Sequence, residues 1–512
     1  MVSVILDAAL AGLRTSQRQL DITSHNIANV NTPGYHKRSL TQYSQSVGGI
    51  GQGSVTGNVI RSANAALEAQ QLASTTVVGN YDIRDQYRAS VEQLYGKPGS
   101  GNSLSDAMLA FKKDLDGFTV AVDNIPPSTV VVGAQVLTKQ LNSMSSQIQA
   151  LRMQADQAIA DGLQEANTLI DQLGDLNNKI STGQAIGIDT GDLQDQRAQA
   201  VQQLGSLMGV QTYLRPDGNM VVSTTTGRVM VDGTKLQKFG QIGAAPTNTL
   251  DTYVSVTAMT AVTPTQRIGL GTMGNSGLPD LTNELISGGG KLGALLNQRG
   301  QYSATATLPQ GELQQRTAEL NQFALQLYNT MQATNLATTD VAADPVYDPT
   351  NAVNQANHFF AGVYPNPPAN PGNIDNAATI VVHPDIVANA SLLNTTTGGI
   401  DISIARNLDT ALNTTNISFA AAGSLGAIQT SFIGYSSAIL NNVADLRLES
   451  KVGLQYNSDL LTNLNTRLGD VVGVNLDEEL SNLIVYQKSY QASAKTIQTA
   501  NEMLDVVLNL KQ

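Results

Sequence analysis

Both ends of the chain carry apolar side chains at intervals of seven residues, and this spacing limits what the ends can fold into. The N-terminal series is Leu6, Leu13, Leu20 and Ile27, with Leu10 on the same stripe, and the C-terminal series is Leu476, Leu483, Tyr490, Ile497 and Leu504, flanked by Leu480 and Leu508. A seven-residue repeat over several turns predicts α-helices that pack as coiled coils, because it keeps one apolar stripe facing a partner. The two ends can therefore pair with each other or pack against copies of the chain.

Turn-forming and capping residues mark where these helices stop and start. Pro33 disfavours helical geometry at Thr32, and Pro33-Gly34 suits the centre of a type II turn, which needs a positive φ at Gly34. At the other end, the Asn475 side chain can cap the last helix, and Glu478 completes a capping box. The acidic residues 477–479 are therefore predicted to stabilise a helix N-terminus rather than to bind a cation.

The chain has few charges for its 512 residues. Only 14% of the residues are Asp, Glu, Lys or Arg, against about 25% in an average soluble protein. Amides such as Gln17, Gln491 and Gln498 occupy the terminal helix surfaces, where a solvated coiled coil usually has Glu and Lys. Uncharged polar faces can pack against copies of themselves without burying unpaired charge, so this composition favours self-assembly.

The sequence between the ends predicts helices interrupted by one β-rich segment. The predicted fold class is mainly α with an inserted β domain, in a discontinuous multidomain arrangement of terminal coiled-coil helices, a helical bundle and a small β domain. The predicted domains are a terminal coiled-coil domain (1–58 and 470–512), a helical middle domain (59–210 and 276–469, with an irregular insertion at 337–378) and a β-rich outer domain (211–275). Within them, residues 36–58 are predicted as a loop with short extended pieces, and 420–469 as a pair of helices.

Residues suited to chemistry are scarce. With no Cys and four scattered His, the sequence has no spacing typical of a metal site. The Gly-rich run at 48–53 lacks the strand, helix and Lys that a phosphate-binding loop requires. The net charge of −12 without a long basic run argues against nucleic-acid binding, and no apolar run reaches the roughly 18–20 residues that a membrane span needs. We therefore predict no enzyme activity, no cofactor, no metal and no membrane insertion.

The segment from Ser24 to Tyr35 resembles the N-terminal signature of the bacterial flagellar rod, hook and hook-associated proteins, an axial family. The motif residues are Asn26, Ala28, Asn29, Asn31, Thr32, Pro33, Gly34 and Tyr35. The segments 192–204, 289–300 and 473–508 are similar to internal and C-terminal stretches of the hook-associated members. The resemblance implies a structural protein of the junction zone between hook and filament, needed for filament attachment, with its terminal helices in an inner coiled-coil layer.

The resemblance also implies partners and a location. It implies self-association in a helical or ring-like zone, contacts with the hook protein and with hook-associated protein 3, and an export chaperone at the C-terminal helix. The implied location is extracellular, on the flagellum, after export of the uncleaved chain through the flagellar type III pathway. Two alternatives remain open: another axial component, such as hook-associated protein 3 or the hook protein itself, and a secreted adhesin-like binding protein.

Overall fold

A computed structural model describes residues 2–47, 50–97, 99–120, 125–242, 267–271, 281–300, 311–333, 336, 338, 357–363, 375–396 and 399–509, some at the ends of these ranges as backbone only. The helices are α1 Val2–Ala28, α2 Ala65–Tyr95, α3 Leu104–Val120, α4 Pro127–Ala185, α5 Gly191–Leu207, α6 Thr282–Gly288, α7 Gly290–Arg299, α8 Glu312–Thr330, α9 Asn376–Thr379, α10 Pro384–Ala388, α11 Ser403–Leu412, α12 Phe432–Val472 and α13 Leu476–Asn509. The strands are β1 Arg38–Val47, β2 Ile50–Arg61, β3 Val210–Leu214, β4 Met220–Thr224, β5 Val229–Asp232, β6 Lys235–Leu236, β7 Lys238–Ile242, β8 Arg267–Gly271, β9 Phe360–Ala361, β10 Val381–Val382, β11 Thr395–Thr396, β12 Gly399–Ile400, β13 Ile417–Phe419 and β14 Ile428–Thr430. The mainly helical fold class is confirmed.

The first and last helices lie side by side as an antiparallel pair. Asn26 of α1 bonds to Glu479 at the start of α13, whereas Gly12 lies against Ser493, further along α13. The buried side chains of α1 are small or polar: Ala9, Thr15, Ser16, Thr23 and Asn26. The seam between the two helices is therefore closed by small residues, which let the backbones approach closely.

A long antiparallel hairpin, β1–β2, packs back along α1. Thr15 Oγ1 donates to Ser54 O at 3.4 Å, and Arg18 Nη1 donates to Thr56 Oγ1 at 3.0 Å. The prediction of a loop over residues 36–58 is wrong, because this Ser/Thr/Gly-rich segment forms a paired ladder despite lacking an apolar alternation. Residues 48 and 49 of the Gly-rich run lie outside the described residues.

The helical middle contains two apolar cores that share α4, a single helix of 59 residues. Core one joins α3, the first half of α4, α8, α11 and the start of α12, together with aromatic residues such as Phe111, Phe323 and Tyr435. Core two joins the second half of α4 to α5, α6, α7 and the strands β3, β4, β5 and β7. The four-stranded sheet β3–β4–β5–β6 thus shares its core with helices, and the proposed domain boundaries stay a prediction.

Polar residues separate the two cores, all of them buried except the half-buried Glu312, and we call them the polar waist: Arg88, Arg152, Asp156, Gln298, Arg299 and Glu312. Arg88 Nη2 lies 2.5 Å from Glu312 Oε1, and Gln298 donates to the other oxygen of that carboxylate at 2.8 Å. Arg299 Nη1 lies 2.5 Å from Asp156 Oδ1, with both side chains buried. The waist thereby ties α2, α4, α7 and α8 together between the cores.

Residues 357–363 of the predicted irregular insertion lie in core one, where the Phe359 ring packs 5.9 Å from Phe111 and 5.0 Å from Phe360. The local prediction for residues 420–469 is wrong. The expected helical pair over 420–469 is one helix, α12, which begins after Ser431 accepts a hydrogen bond from the Gly434 N–H. Residues 337, 339–356 and 364–374 of the insertion, and 243–266 and 272–275 of the predicted β domain, lie outside the described residues. None of the helices that the structure describes is both long and apolar enough to cross a membrane.

Candidate functional site

The motif residue Asn26 holds the base of the terminal helix pair. Its side chain is only 1% exposed, and its amide uses every hydrogen-bonding position. Nδ2 donates to Arg38 O at 2.9 Å and to Glu479 Oε2 at 3.1 Å. Oδ1 accepts from Arg38 N at 3.1 Å and from the Tyr35 hydroxyl at 2.9 Å. One amide therefore joins α1, the start of β1 and α13.

The turn after α1 has the geometry that its sequence predicts. The N–H of Tyr35 donates to Thr32 O at 3.2 Å, and Gly34 has a φ of +77°, as a type II turn requires. Gln199 of α5 donates to Pro33 O at 2.8 Å, and a side chain at position 34 would collide with it. Gly34 therefore serves both the turn and its close approach to α5.

The other motif residues shape this turn without being buried. Asn29 Nδ2 donates to His25 O at 2.9 Å, and Thr32 Oγ1 donates to Asn29 Oδ1 at 3.2 Å. Ala28 ends α1 with an exposed side chain, and Asn31 is also exposed. The motif thus divides into a buried anchor, Asn26 with Tyr35, and a local turn.

Next to Asn26, a network of buried charges connects the hairpin to the helical middle. His36 Nδ1 lies 2.9 Å from Asp195 Oδ1, and Arg61 Nε donates to the same oxygen at 2.7 Å. On the other side of the ring, His36 Nε2 lies 3.6 Å from Glu68 Oε1. Arg38 reaches the start of α5 and forms ion pairs with Asp189 and Asp192. We call Asn26, His36, Arg38, Arg61, Glu68, Asp195 and Glu479 the root cluster.

The root cluster favours the charged forms of its side chains. Burial alone would lower the pKa of His36, but the Asp195 and Glu68 carboxylates raise it. Burial alone would raise the pKa of Asp195, but hydrogen bonds from His36 and Arg61 hold it below its usual value. The hydrogen bond with His36 likewise lowers the pKa of Glu68, and burial raises the pKa of Tyr35 to about 12. The cluster is thus an ion-paired joint between the hairpin and the helical middle.

The start of α13 completes this joint. Asn475 Oδ1 accepts from the N–H groups of Asp477 and Glu478, at 3.0 and 3.3 Å. The carboxylate of Glu478 lies 2.7 Å from Lys37 Nζ, and Glu479 lies 3.4 Å from the same atom. The acidic first turn of α13 therefore pairs with the segment before β1, and the described residues contain no metal-ligand cluster.

Comparison with known proteins identifies the family. The model of the flagellar hook-associated protein FlgK helical domain matches residues 89–345, half of the chain. The chain belongs to the FlgK family of flagellar hook-associated proteins. The ends match two further families, the flagella basal body rod protein over 6–36 and the flagellar basal body rod FlgEFG protein C-terminal family over 471–510. The chain is thus a structural protein of the bacterial flagellum with the ends of an axial protein, and this indicates self-association and contacts in the hook region.

Curated relatives of this FlgK-family chain match it over essentially the full length. Flagellar hook-associated protein 1 of Escherichia coli (strain K12) is 23% identical, over 100% of both chains. The protein of the same name from Bacillus subtilis (strain 168) is 21% identical, over 98% of this chain and 97% of its own. A solved structure, the flagellar hook junction protein FlgK from Burkholderia pseudomallei, aligns at 23% identity with a TM-score of 0.42, over 57% of this chain and 46% of its own.

The heptad side chains of this FlgK-family chain are not buried between its own two helices. Leu10, Leu476, Leu480, Tyr490 and Leu504 are between 37% and 45% exposed. Half-buried positions are Leu6, Leu13, Leu20, Ile27, Leu483 and Ile497. The side chain of Leu508 lies outside the described residues. The two ends do pair with each other, but the stripes flank the seam, and their role in axial packing stays a prediction.

Sequence reasoning identified Asn26, Tyr35 and Asn475 but missed their ionic partners. The scattered His residues indicate no metal site, and nothing in the sequence links His36 to Asp195, which lies 159 positions away. Two of the similar segments held a signal, since 192–204 contains Asp195 and Gln199, and 289–300 contains two residues of the polar waist. Attention to the polar residues within these two segments of resemblance would have pointed to the contacts that they make.

Proposed function

We propose that this chain forms a layer of the junction between the flagellar hook and the filament and is needed for filament attachment. The uncovered heptad stripes of the terminal helix pair carry this proposal. Family membership supports it, since the relatives are named for the hook.

Energetics favour a partner for these stripes. Fully burying one Leu side chain contributes roughly 1.5–3 kcal/mol, and α13 alone exposes Leu476, Leu480, Ile484, Val485 and Leu504. A soluble monomer rarely leaves so many large apolar side chains uncovered along one helix. Packing against neighbouring subunits in a helical or ring-like zone would remove this surface from water.

The root cluster gives the proposed assembly its geometry. Asn26, Arg38 and Glu479 fix the base of the helix pair, and Asp195 with Gln199 fixes the same point on the helical middle. Charge-assisted bonds between several elements restrict the angle between them more than an apolar contact would. A defined angle between the pair and the helical middle would let identical copies stack in register.

The neighbours in this proposal are the hook protein on one side and hook-associated protein 3 on the other. An export chaperone would cover α13 before assembly. Among the described residues of the two terminal helices, α13 exposes more large apolar side chains than α1 does. Export of the uncleaved chain through the flagellar type III pathway, and a location outside the cell, belong to the same proposal. An enzyme activity plays no part in it.

A point substitution in the stripe tests the role more sharply than deletion of residues 1–30 or 476–512, because each deletion also removes a root-cluster residue. Leu480→Glu places a charge on the uncovered stripe, and Gln487→Glu is the matched control on an exposed position of α13. In a strain that makes hooks but lacks this chain, we expect Leu480→Glu to restore filaments on fewer than a tenth as many hooks as the control.

Location tests the rival role of a hook subunit. Antibody labelling of isolated hooks should place the chain at the distal end of the hook, below the filament. Labelling along the hook length would identify a hook subunit instead. Normal filament attachment by the Leu480→Glu chain, together with absence from hook ends, would refute the proposal.

A further inference from the structure

One face of α12 is apolar and uncovered, although the opposite face packs on α2. Leu448, Val452 and Tyr456 are 61%, 59% and 68% exposed. They are spaced by four residues, so they form one stripe along the helix surface. Asp445 and Lys451, both exposed, lie beside this stripe. Lys451 has no carboxylate partner within the described part of the chain. We call these residues the α12 stripe.

A groove between α3 and α4 has apolar edges and charged side chains that could receive the α12 stripe. Cavities of about 350 and 440 Å³ lie on either side of Asp114, with Val120, Val132 and Val136 exposed along the edges. The Asp114 carboxylate lies over Gly133, which leaves room for it. Burial raises the pKa of Asp114 against the opposing charge of the neighbouring Lys113, and among the described residues its carboxylate has no hydrogen bond or salt bridge. Exposed Lys113 lies at the edge. We call this site the α3–α4 groove.

We propose that the α12 stripe of one copy docks into the α3–α4 groove of a second copy. The apolar side chains would fill the groove, Lys451 would pair with Asp114, and Asp445 would face Lys113. Each of the four charges would thus face one of opposite sign, and this complementarity selects a second copy of the chain as the occupant. The inference rests on the proposed junction function and names the contact through which the helical middles associate.

The position of the two surfaces determines the kind of assembly. The groove lies where α3 ends and α4 begins, whereas the stripe lies on the half of α12 that packs on α2 towards the root cluster. Because the two surfaces differ, the contact is heterologous: one copy keeps its groove free and the other keeps its stripe free. Copies joined in this way are staggered along the helix axes and form a ring or an open helix rather than a closed dimer.

The absence of Cys makes cross-linking a direct test. Ser128→Cys marks the edge of the groove and Gln455→Cys marks the stripe, and both positions are exposed. The two chains are incubated with isolated hooks, singly and mixed, and treated with a short bis-maleimide. We expect at least tenfold more cross-linked dimer in the mixture than with either chain alone, and a ladder of multimers when one chain carries both cysteines.

Charge reversal tests the pairing itself. Adding Lys451→Glu to the Gln455→Cys chain should lower the dimer yield at least fivefold, and Asp114→Lys in the Ser128→Cys chain should restore it. Lys235→Glu, at an exposed position of β6, is the control that should leave the yield unchanged. Circular dichroism of each variant checks that it is folded. Equal dimer yields from a single-cysteine chain alone, or cross-links from Gln455→Cys to the hook protein, would overturn the proposed contact.

Co-sedimentation with hooks separates this inference from the proposed function. Chains that sediment with hooks without the expected cross-link contradict the contact and leave the junction role standing. Chains that cross-link in solution but do not sediment support the contact and contradict the junction role. Failure of both measurements would refute both.

Discussion

At the scale of single residues, the most informative group is His36, which lies between carboxylates of two helices. Asp195 of α5 and Glu68 of α2 face the ring, with Arg61 of β2 beside it. Arg38 extends from β1 to the same Asp195, at 3.8 Å. The charge of one imidazole therefore adds to the arginine ion pairs that hold the hairpin on the helical middle.

This arrangement predicts a pH dependence. The pKa of His36 is raised in the folded chain. Its contribution to the stability of the folded chain is therefore fully present below the ordinary pKa of about 6.5, and it is lost as the pH rises through the raised pKa. The pKa values of Asp195 and Glu68 are lowered in the folded chain. Their contribution to stability is therefore present above the ordinary carboxylate pKa range, and it is lost as the pH falls through the lowered pKa values. The joint should therefore be most stable in mildly acidic solution.

Hydrogen exchange of residues 36–61, corrected for intrinsic rates, measures this effect. We expect protection factors several-fold lower at pH 8 than at pH 6, and a smaller difference in His36→Gln. The control is His25→Gln, at an exposed position of α1, which should keep the full pH difference. An unchanged pH difference in His36→Gln would show that His36 does not control the joint.

At the scale of elements, the terminal pair depends on a small residue at its seam. A Cβ at Gly12 would lie 3.0 Å from Ser493 Oγ, closer than ordinary packing permits. Gly12→Leu improves helix propensity by roughly 0.8 kcal/mol, but overpacking a close contact costs about 1–3 kcal/mol. We expect packing to outweigh propensity, so exchange should speed up in both α1 and α13.

Gln17→Leu is the control, because it places the same side chain on an exposed position of α1 with little change in helix propensity. It should leave α13 protected. Greater protection of α13 in Gly12→Leu than in the unsubstituted chain would mean that the seam is not closely packed there.

The element scale also shows what the sequence could and could not predict. The heptads predicted both terminal helices, because a period is a local property that neighbouring residues share. They did not predict the seam, since Gly12 and Ser493 lie at opposite ends of the chain. The hairpin over residues 38–61 was missed because its Ser, Thr and Gly side chains carry no apolar alternation, and its pairing becomes favourable only against α1.

At the scale of the whole molecule, the sequence predicts a helical middle domain, but it does not predict that the long helix α4 is shared between two cores. Ile148 belongs to core one and Ala155 to core two, with buried Arg152 between them. The partners of that polar interval come from α2, α7 and α8, and no local pattern brings such distant residues together. The root cluster was missed for the same reason.

The polar waist predicts how the two cores unfold. Arg88 bonds to Glu312, to Glu449 and to Leu446 O, and its neighbour Tyr87 packs against both cores. Arg88→Met leaves the Glu312 carboxylate without its cation, and breaking a buried ion pair costs about 3–5 kcal/mol. Because this cost falls on the contact between the cores, we expect calorimetry to resolve two unfolding transitions of the helical middle where the unsubstituted chain shows one.

Arg84→Met is the control, since it removes a more exposed partner of Glu449. An exposed ion pair of this kind contributes at most about 1 kcal/mol, so this variant should keep one transition. A single transition in Arg88→Met, shifted no further than in this control, would mean that the cores are coupled through α4 alone and not through the waist.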